Sequence, residues 1–147
     1  MNTAIATLLA QKSGAVFTVP VTLTVAEAVR EMNTHKVGSV LVMDGTRLAG
    51  IFTERDVLRR VVGEGLDPRT TPITKVMTAS VLTIAPSATV QQVMELFTEK
   101  RLRHLPVVEQ GRVTGVISIG DVSRWVAALH RVEAESLRRY IAGELSN

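Results

Sequence analysis

The chain has 147 residues, no cysteine, 46% apolar content, 3% aromatic residues and a formal charge of +3 from 17 Lys+Arg against 14 Asp+Glu. At that length it is one compact unit or two very small ones, burying about 68–70% of its unfolded surface, and disulfides and cysteine-ligated zinc are excluded. His35, His104 and His130 are scattered along the chain and give no metal-ligand spacing, so no metal is expected.

Taken in chain order, Thr3 to Gln11 is predicted as an N-terminal helix. Phe17-Thr18-Val19 reads as a short strand. Thr24-Val25-Ala26-Glu27 is a capping box, in which hydroxyl and carboxylate satisfy the free amides of a helix start. Val25, Ala28, Val29 and Met32 follow at helical spacing. Val37 to Met43 is too short for a helix and rich in β-branched residues, so it reads as a buried strand. Asp44-Gly45 supplies a hairpin turn before Leu48 to Phe52. Thr53-Glu54-Arg55-Asp56 opens a helix that runs through Val57, Leu58, Val61 and Val62 and ends near Gly63. Glu64 to Thr74 holds Gly65, Pro68 and Pro72, which is loop composition, and Ile73 to Met77 reads as a short helical turn.

The same order then returns. At a shift of 65 residues, Thr18 to Val57 lies over Thr83 to Val122 without a gap. Identities fall at Thr18/Thr83, Thr24/Thr89, Val25/Val90, Val42/Val107, Arg47/Arg112, Gly50/Gly115, Asp56/Asp121 and Val57/Val122. Thr83-Ile84 is the strand, Pro86 to Thr89 enters a helix with the stripe Val90, Val93, Met94 and Phe97, and His104 to Val108 pairs with Val113 to Ser118 around Gln110-Gly111. Ser118-Ile119-Gly120-Asp121 begins the last helix. Its apolar spacing continues through Val122, Trp125, Val126, Leu129, Val132, Leu137, Tyr140 and Ile141, predicting a long or broken amphipathic helix.

The fold class is therefore α/β of the α+β type: tandem β-α-β-β-α repeats, packed as a pseudo-two-fold pair, with N- and C-terminal helices. The expected boundaries are 1–16 for the N-terminal helix and lead-in, 17–63 for the first copy, 64–77 for the linker, 78–128 for the second copy and 129–147 for a C-terminal helical extension. The cleft between the copies is where a ligand is expected.

A calculated pI of 9.8 suggests nucleic acid, but pI magnifies a small imbalance when acids and bases nearly cancel. The bases fall in separate groups, Arg55/Arg59/Arg60, Lys100/Arg101/Arg103 and Arg131/Arg138/Arg139, and stacking platforms are few. Nucleic-acid binding is not expected. No apolar run approaches the roughly 20 residues of a membrane span, and Met1-Asn2-Thr3-Ala4-Ile5 lacks the basic start of a signal peptide. The expected location is the cytoplasm.

Thr53 and Asp56, and likewise Ser118 and Asp121, place a hydroxyl at the end of a strand and a carboxylate three residues on. One reading is a capping box. The other is a ligand: the helix start offers free amides to an anion, the hydroxyl reaches a phosphate, and the carboxylate accepts two ribose hydroxyls. Occurrence at the repeat period favours the ligand. There is no P-loop, dinucleotide glycine fingerprint, Cys nucleophile or Ser-His-Asp arrangement, so no enzyme is expected.

Val37-Gly38-Ser39-Val40-Leu41-Val42 with Gly50 to Asp56, Leu102 to Val108 with Gly115 to Asp121, and Val76-Met77-Thr78 resemble the cystathionine-beta-synthase (CBS) domain, and the pair resembles a Bateman module. The resemblance implies a regulatory module that binds an adenosine-containing ligand, AMP, ADP, ATP, NAD(H) or S-adenosylmethionine, and commonly forms homodimers. It implies that Asp56 and Asp121 hold ribose, that Thr53 and Ser118 approach phosphate, and that Phe17, Gly38, Ser39, Thr78, Val81, Arg103 and His104 enclose adenine, beside Pro106 and Ile117 of the second-copy strands. One site would join Phe17, Gly38 and Ser39 to Ser118 and Asp121, the other Thr78, Val81, Arg103 and His104 to Thr53 and Asp56.

Arg55 and Arg103 suit phosphate, although Arg55 equally suits a solvated helix face. Gly120 stands in the place of Arg55, so the sites are unequal. His104 either titrates against phosphate or is structural. Pro106 is permitted in a strand where its missing amide faces ligand or an edge. Trp125 and Tyr140 are expected in core or dimer contacts. The alternative function is a non-catalytic interaction subunit with empty clefts, acting on an enzyme, transporter or transcription factor as its regulated partner.

Overall fold

The computed structural model describes residues 2–12 and 16–143; parts of the predicted lead-in (1 and 13–15) and of the C-terminal extension (144–147) lie outside them. The elements are α1 (Ile5–Gln11), β1 (Thr18–Pro20), α2 (Val25–His35), β2 (Ser39–Asp44), β3 (Arg47–Thr53), α3 (Glu54–Asp56), a π-helical turn (Val57–Val62), α4 (Ile73–Val76), α5 (Val90–Lys100), β4 (His104–Glu109), β5 (Arg112–Ser118) and α6 (Ile119–Ile141). They divide between two compact units, one of Gly14–Ala85 with Pro106–Val116, the other of Met1–Ser13, Pro86–Leu105 and Ile117–Asn147.

In the first unit β1 runs parallel to β2, which pairs antiparallel with β3. β-Branched residues fill this sheet because their stiff side chains pack on a pleated surface. Val19, Val40, Val42 and Phe52 meet the inner faces of α2 (Val25, Ala28, Met32) and of α4 (Ile73, Val76) in one buried cluster. Burying each such side chain contributes about 1.5–3 kcal/mol. In the second unit α6 packs on α1 and α5, with Ile5, Val90, Val93, Phe97 and Val122 buried.

Local signals shape both copies alike. Thr24 and Thr89 are N-caps whose hydroxyls accept from the amides of Glu27 and Gln92, closing two capping boxes. Both helices end on a left-handed residue, Lys36 at φ 54° and Arg101 at φ 53°. Val19 pairs with Val42 and Ile84 with Val107, the same parallel register 65 residues on (84 − 19 = 107 − 42 = 65). The predicted strand Thr83-Ile84 shrinks to that single bridge at Ile84. Val21 donates to the Met43 carbonyl at 3.0 Å and so extends the pairing of β1, whereas its counterpart is Pro86, which has no amide to give.

Two features depart from the repeat. The segment before each copy clamps the start of the other copy's first helix. In the first unit Val25 donates to Thr71 at 2.9 Å and Ile73 to Leu23 at 3.0 Å; in the second, Val90 donates to Thr3 at 2.9 Å and Ile5 to Ala88 at 2.8 Å. The linker is thus partly core: Ile73 and Val76 are fully buried. The helix after Asp56 also widens into π geometry, with Gly63 donating to Leu58 and Leu66 to Val61, each at 2.9 Å. A Cβ on Gly63 would stand 2.6 Å from the Arg59 carbonyl, so glycine is what lets this turn close. The C-terminal helix is continuous through Ile141.

Candidate functional site

The end of β3 fixes the first turn. Thr53 caps α3: its hydroxyl accepts from the Asp56 amide at 3.3 Å, while Asp56 Oδ2 accepts from the Thr53 amide at 2.9 Å and from the Thr53 hydroxyl at 3.2 Å. Asp56 is buried, and Arg60 Nε lies 3.6 Å from its Oδ1. Arg60 is itself anchored, its Nη1 donating to the Val76 and Met77 carbonyls at 3.1 Å each. Ser39 sits opposite Thr53 across β2 and β3, and the Glu54 amide donates to the Gly38 carbonyl at 3.0 Å. Gly38, Ser39, Thr53 and Asp56 therefore share one end of one sheet. Arg55 is exposed.

Thr78 is held beside that sheet by two bonds with Ile51, each 3.0 Å. A Cβ on Gly50 would meet Met77 Sδ at 2.6 Å and the Thr78 carbonyl at 2.8 Å, so the approach depends on a bare glycine. Val81 is half-buried. Phe17 stacks on His35, ring centroids 4.3 Å apart and planes at 21°, and His35 reaches Glu31 at 3.4 Å. Pro106 is buried with its carbonyl accepting from Ile84 at 3.0 Å.

The second unit repeats the turn. The Asp121 amide donates to the Ser118 hydroxyl at 3.1 Å and the Ser118 amide to Asp121 Oδ2 at 2.9 Å. The Ile119 amide donates to the Arg103 carbonyl at 2.9 Å, the counterpart of Glu54 to Gly38. Ile117 is buried and His104 half-buried at the start of β4. What differs is the charge on the carboxylate. Lys12 Nζ donates to Asp121 Oδ2 at 2.9 Å and Arg124 Nη2 to Oδ1 at 2.6 Å, while the Asp121 side chain is only 9% exposed. Burial opposes its ionisation, but the Lys12 ammonium and the Ser118 amide and hydroxyl outweigh it and hold the carboxyl below its usual value.

The structure thus realises both capping boxes, and each leaves a carboxylate beside cations at a helix start. Lys12, Arg60, Arg124 and His35 were not foreseen at these sites. Arg60 and Arg124 lie one helical turn from their aspartates, a usable signal; nothing in the sequence points Lys12 at Asp121, 109 residues away.

Paired sheet-and-helix copies, each ending β-turn-β on a capped Thr/Ser-x-x-Asp turn, define the class: the chain belongs to the CBS domain family, whose sequence profile matches twice, over residues 13–63 and 73–128. It is a tandem CBS pair.

Among its relatives is CBS domain-containing protein CBSX3, mitochondrial, of Arabidopsis thaliana, 39% identical over 125 residues; these cover 82% of this chain and 61% of that protein, so the chain spans less than two thirds of that relative. CBS domain-containing protein YhcV of Bacillus subtilis (strain 168) is 31% identical, covering 74% and 76%. The fold matches a CBS-domain protein from Burkholderia ambifaria MC40-6 with a TM-score of 0.83 at 39% identity, over 86% of this chain and 95% of that one. It also matches CBS domain protein PAE2072 from Pyrobaculum aerophilum, complexed with AMP, with a TM-score of 0.72 at 25% identity, over 81% and 89%. Among the described residues no helix is long and apolar enough to cross a membrane.

Proposed function

We propose that the chain is a regulatory sensor of an adenosine-containing ligand: AMP, ADP, ATP, NAD(H) or S-adenosylmethionine. The observation that carries this reading is the pair of turns at Thr53–Asp56 and Ser118–Asp121, each holding a carboxylate beside a hydroxyl and the amides of a helix start, a set of groups suited to ribose and phosphate. Each carboxylate can accept two hydroxyl hydrogens, a demand that cis-diols meet. The AMP bound to the Pyrobaculum protein supports the ligand class. Phe17, Gly38, Ser39, Arg55, Thr78, Val81 and Pro106 in one unit, and Arg103, His104 and Ile117 in the other, are the proposed lining. Phe17 supplies the flat apolar ring that a base requires, already held by His35.

Binding regulates by favouring one of two conformations through its differential affinity. We further propose a homodimer through α6. Its buried stripe at Val122 continues into Val132, Leu137, Tyr140 and Ile141, all exposed. Truncation after Leu129 is then expected to give monomers in sedimentation, and an unchanged dimer removes that role.

Calorimetric titration with AMP, ATP, NAD, NADH and S-adenosylmethionine tests the sensor. At least one should bind, and Asp56→Ala and Asp121→Ala should each remove one binding event. No binding of any at millimolar concentration refutes the sensor, and unaltered stoichiometry and affinity in the double variant refute the site.

A further inference from the structure

The two carboxylates do not stand ready in the same way. At Asp121 both oxygens are occupied by exposed cations: Lys12 on Oδ2 at 2.9 Å and Arg124 on Oδ1 at 2.6 Å, with side chains 41% and 75% exposed. At Asp56 one cation stands among the described residues, Arg60 at 3.6 Å, and its guanidinium is tied to the carbonyls of Val76 and Met77. A ligand that offers ribose hydroxyls to Asp121 must displace Lys12, Arg124 or both, and two cations then lose the carboxylate that neutralises one of them. A neutral ligand brings no negative charge in its place. A phosphate, carrying about −1.5 to −2 charges near neutral pH, re-pairs both.

The surroundings suit that exchange. Lys12, Asp121 and Arg124 line a groove of about 460 Å³ with Leu8, Gln11 and Trp125, within the size range of small-molecule sites. Leu8 is buried and Trp125 half-buried, whereas the Lys12 and Arg124 side chains are exposed. Lys12 comes from the end of α1 and Arg124 from the first turns of α6.

We propose that Lys12 and Arg124 form an exchangeable ion-pair lock on Asp121, which makes this half-site selective for phosphorylated adenosine ligands over adenosine or the cationic S-adenosylmethionine. The inference rests on the ribose-binding reading of Asp121 and adds the charge of the ligand that it admits. The Asp56 half-site, whose Arg60 is anchored, discriminates less.

The test is calorimetric titration of the full chain with adenosine, AMP and S-adenosylmethionine. It uses wild type, Asp56→Ala to isolate the Asp121 half-site, and Asp56→Ala with Lys12→Gln and Arg124→Gln; thermal melts show that each variant is folded. In Asp56→Ala, AMP is expected to bind about tenfold or more tighter than adenosine, with the difference shrinking as salt rises. With both cations replaced, AMP should lose that advantage and adenosine should bind no more weakly than before. Equal affinities for AMP and adenosine in Asp56→Ala, or an AMP preference unmoved by the double glutamine change, overturn the lock. AMP binding retained in Asp121→Ala but absent in Asp56→Ala also removes the lock and leaves the nucleotide reading standing at Asp56. No binding of any of the three to wild type removes both.

Discussion

Thr53–Asp56 and Ser118–Asp121 have the same backbone and different electrostatics. Both turns are capping boxes with an extended N-cap, at φ −126° and −109°, and in both the next amide donates to the residue just before the second strand of its copy, Gly38 or Arg103. Yet one aspartate faces an anchored arginine at 3.6 Å and the other is clasped by two cations at 2.9 Å and 2.6 Å. A duplicated fold therefore fixes where the carboxylate stands, while unduplicated neighbours decide what it costs to use it. Arg60 corresponds to Trp125 at the repeat shift (60 + 65 = 125), and Arg59 to Arg124; moving the cation by one residue changes how closely it approaches Oδ1, 3.6 Å against 2.6 Å, and whether it is anchored.

The largest expected effect on the first of these turns comes from the sheet beside it. Gly50→Ala drives a methyl against Met77 Sδ and the Thr78 carbonyl and should cost about 1–3 kcal/mol, as overpacking does. Chemical denaturation measures this, and amide exchange should show the Ile51–Thr78 bridge opening first. A cost below about 0.5 kcal/mol would mean that the Thr78 segment is not pinned as described.

Next in size is the charge itself. Asp121→Asn should destabilise by about 1–2 kcal/mol, because it leaves two cations facing a neutral amide, and Asp56→Asn by about half as much. Melting temperatures in low salt read the difference, a few degrees at this chain length, and salt should narrow it. Equal costs would break the contrast between the turns. Thr53→Ala and Ser118→Ala probe what the turns share and should lose about 1 kcal/mol each, the usual value of an N-cap hydroxyl. A clear inequality there would place the difference in the backbone instead of in the charge.

These contrasts also explain what could be read from sequence. Interactions closed within a few residues were legible: the capping boxes at Thr24, Thr53 and Ser118, and the hairpin at Gly45. Each depends on residue type at a fixed local spacing. The clamp of α4 on α2 was not, because Ile73 and Ile5 correspond at a shift of 68 (73 − 5), not 65, and the segment's Pro and Gly content reads as linker. The π turn was hidden because Val57 to Val62 has ordinary helical spacing, and the bonds from Gly63 to Leu58 and from Leu66 to Val61 are what reveal it. Lys12 was out of reach for the same reason as any tertiary ion pair: 109 residues separate it from Asp121. At the candidate site the carboxylates were legible and most of their counter-ions were not.

Acid gives the smallest and most specific separation of the two turns. Asp121 has a carboxyl held below its usual value, since Lys12 and the Ser118 donors outweigh the opposing effect of burial. A folded-state value below the unfolded one contributes stability that is complete above the unfolded pKa and is lost as pH falls through the folded one. Melting temperature should accordingly be insensitive to this group near neutrality and fall as pH drops below about 4, where the unfolded carboxyl starts to bind a proton that the folded one refuses. Lys12→Gln raises the folded value toward the unfolded one, so its contribution is smaller at neutral pH and less remains to be lost in acid. The wild-type and Lys12→Gln curves are expected to lie apart near pH 7 and to converge toward pH 2, with Arg124→Gln as a control that removes the cation on the other oxygen. Parallel curves would mean that Lys12 stabilises the protein through packing of its aliphatic stem and not through Asp121, which would also remove the electrostatic basis of the lock.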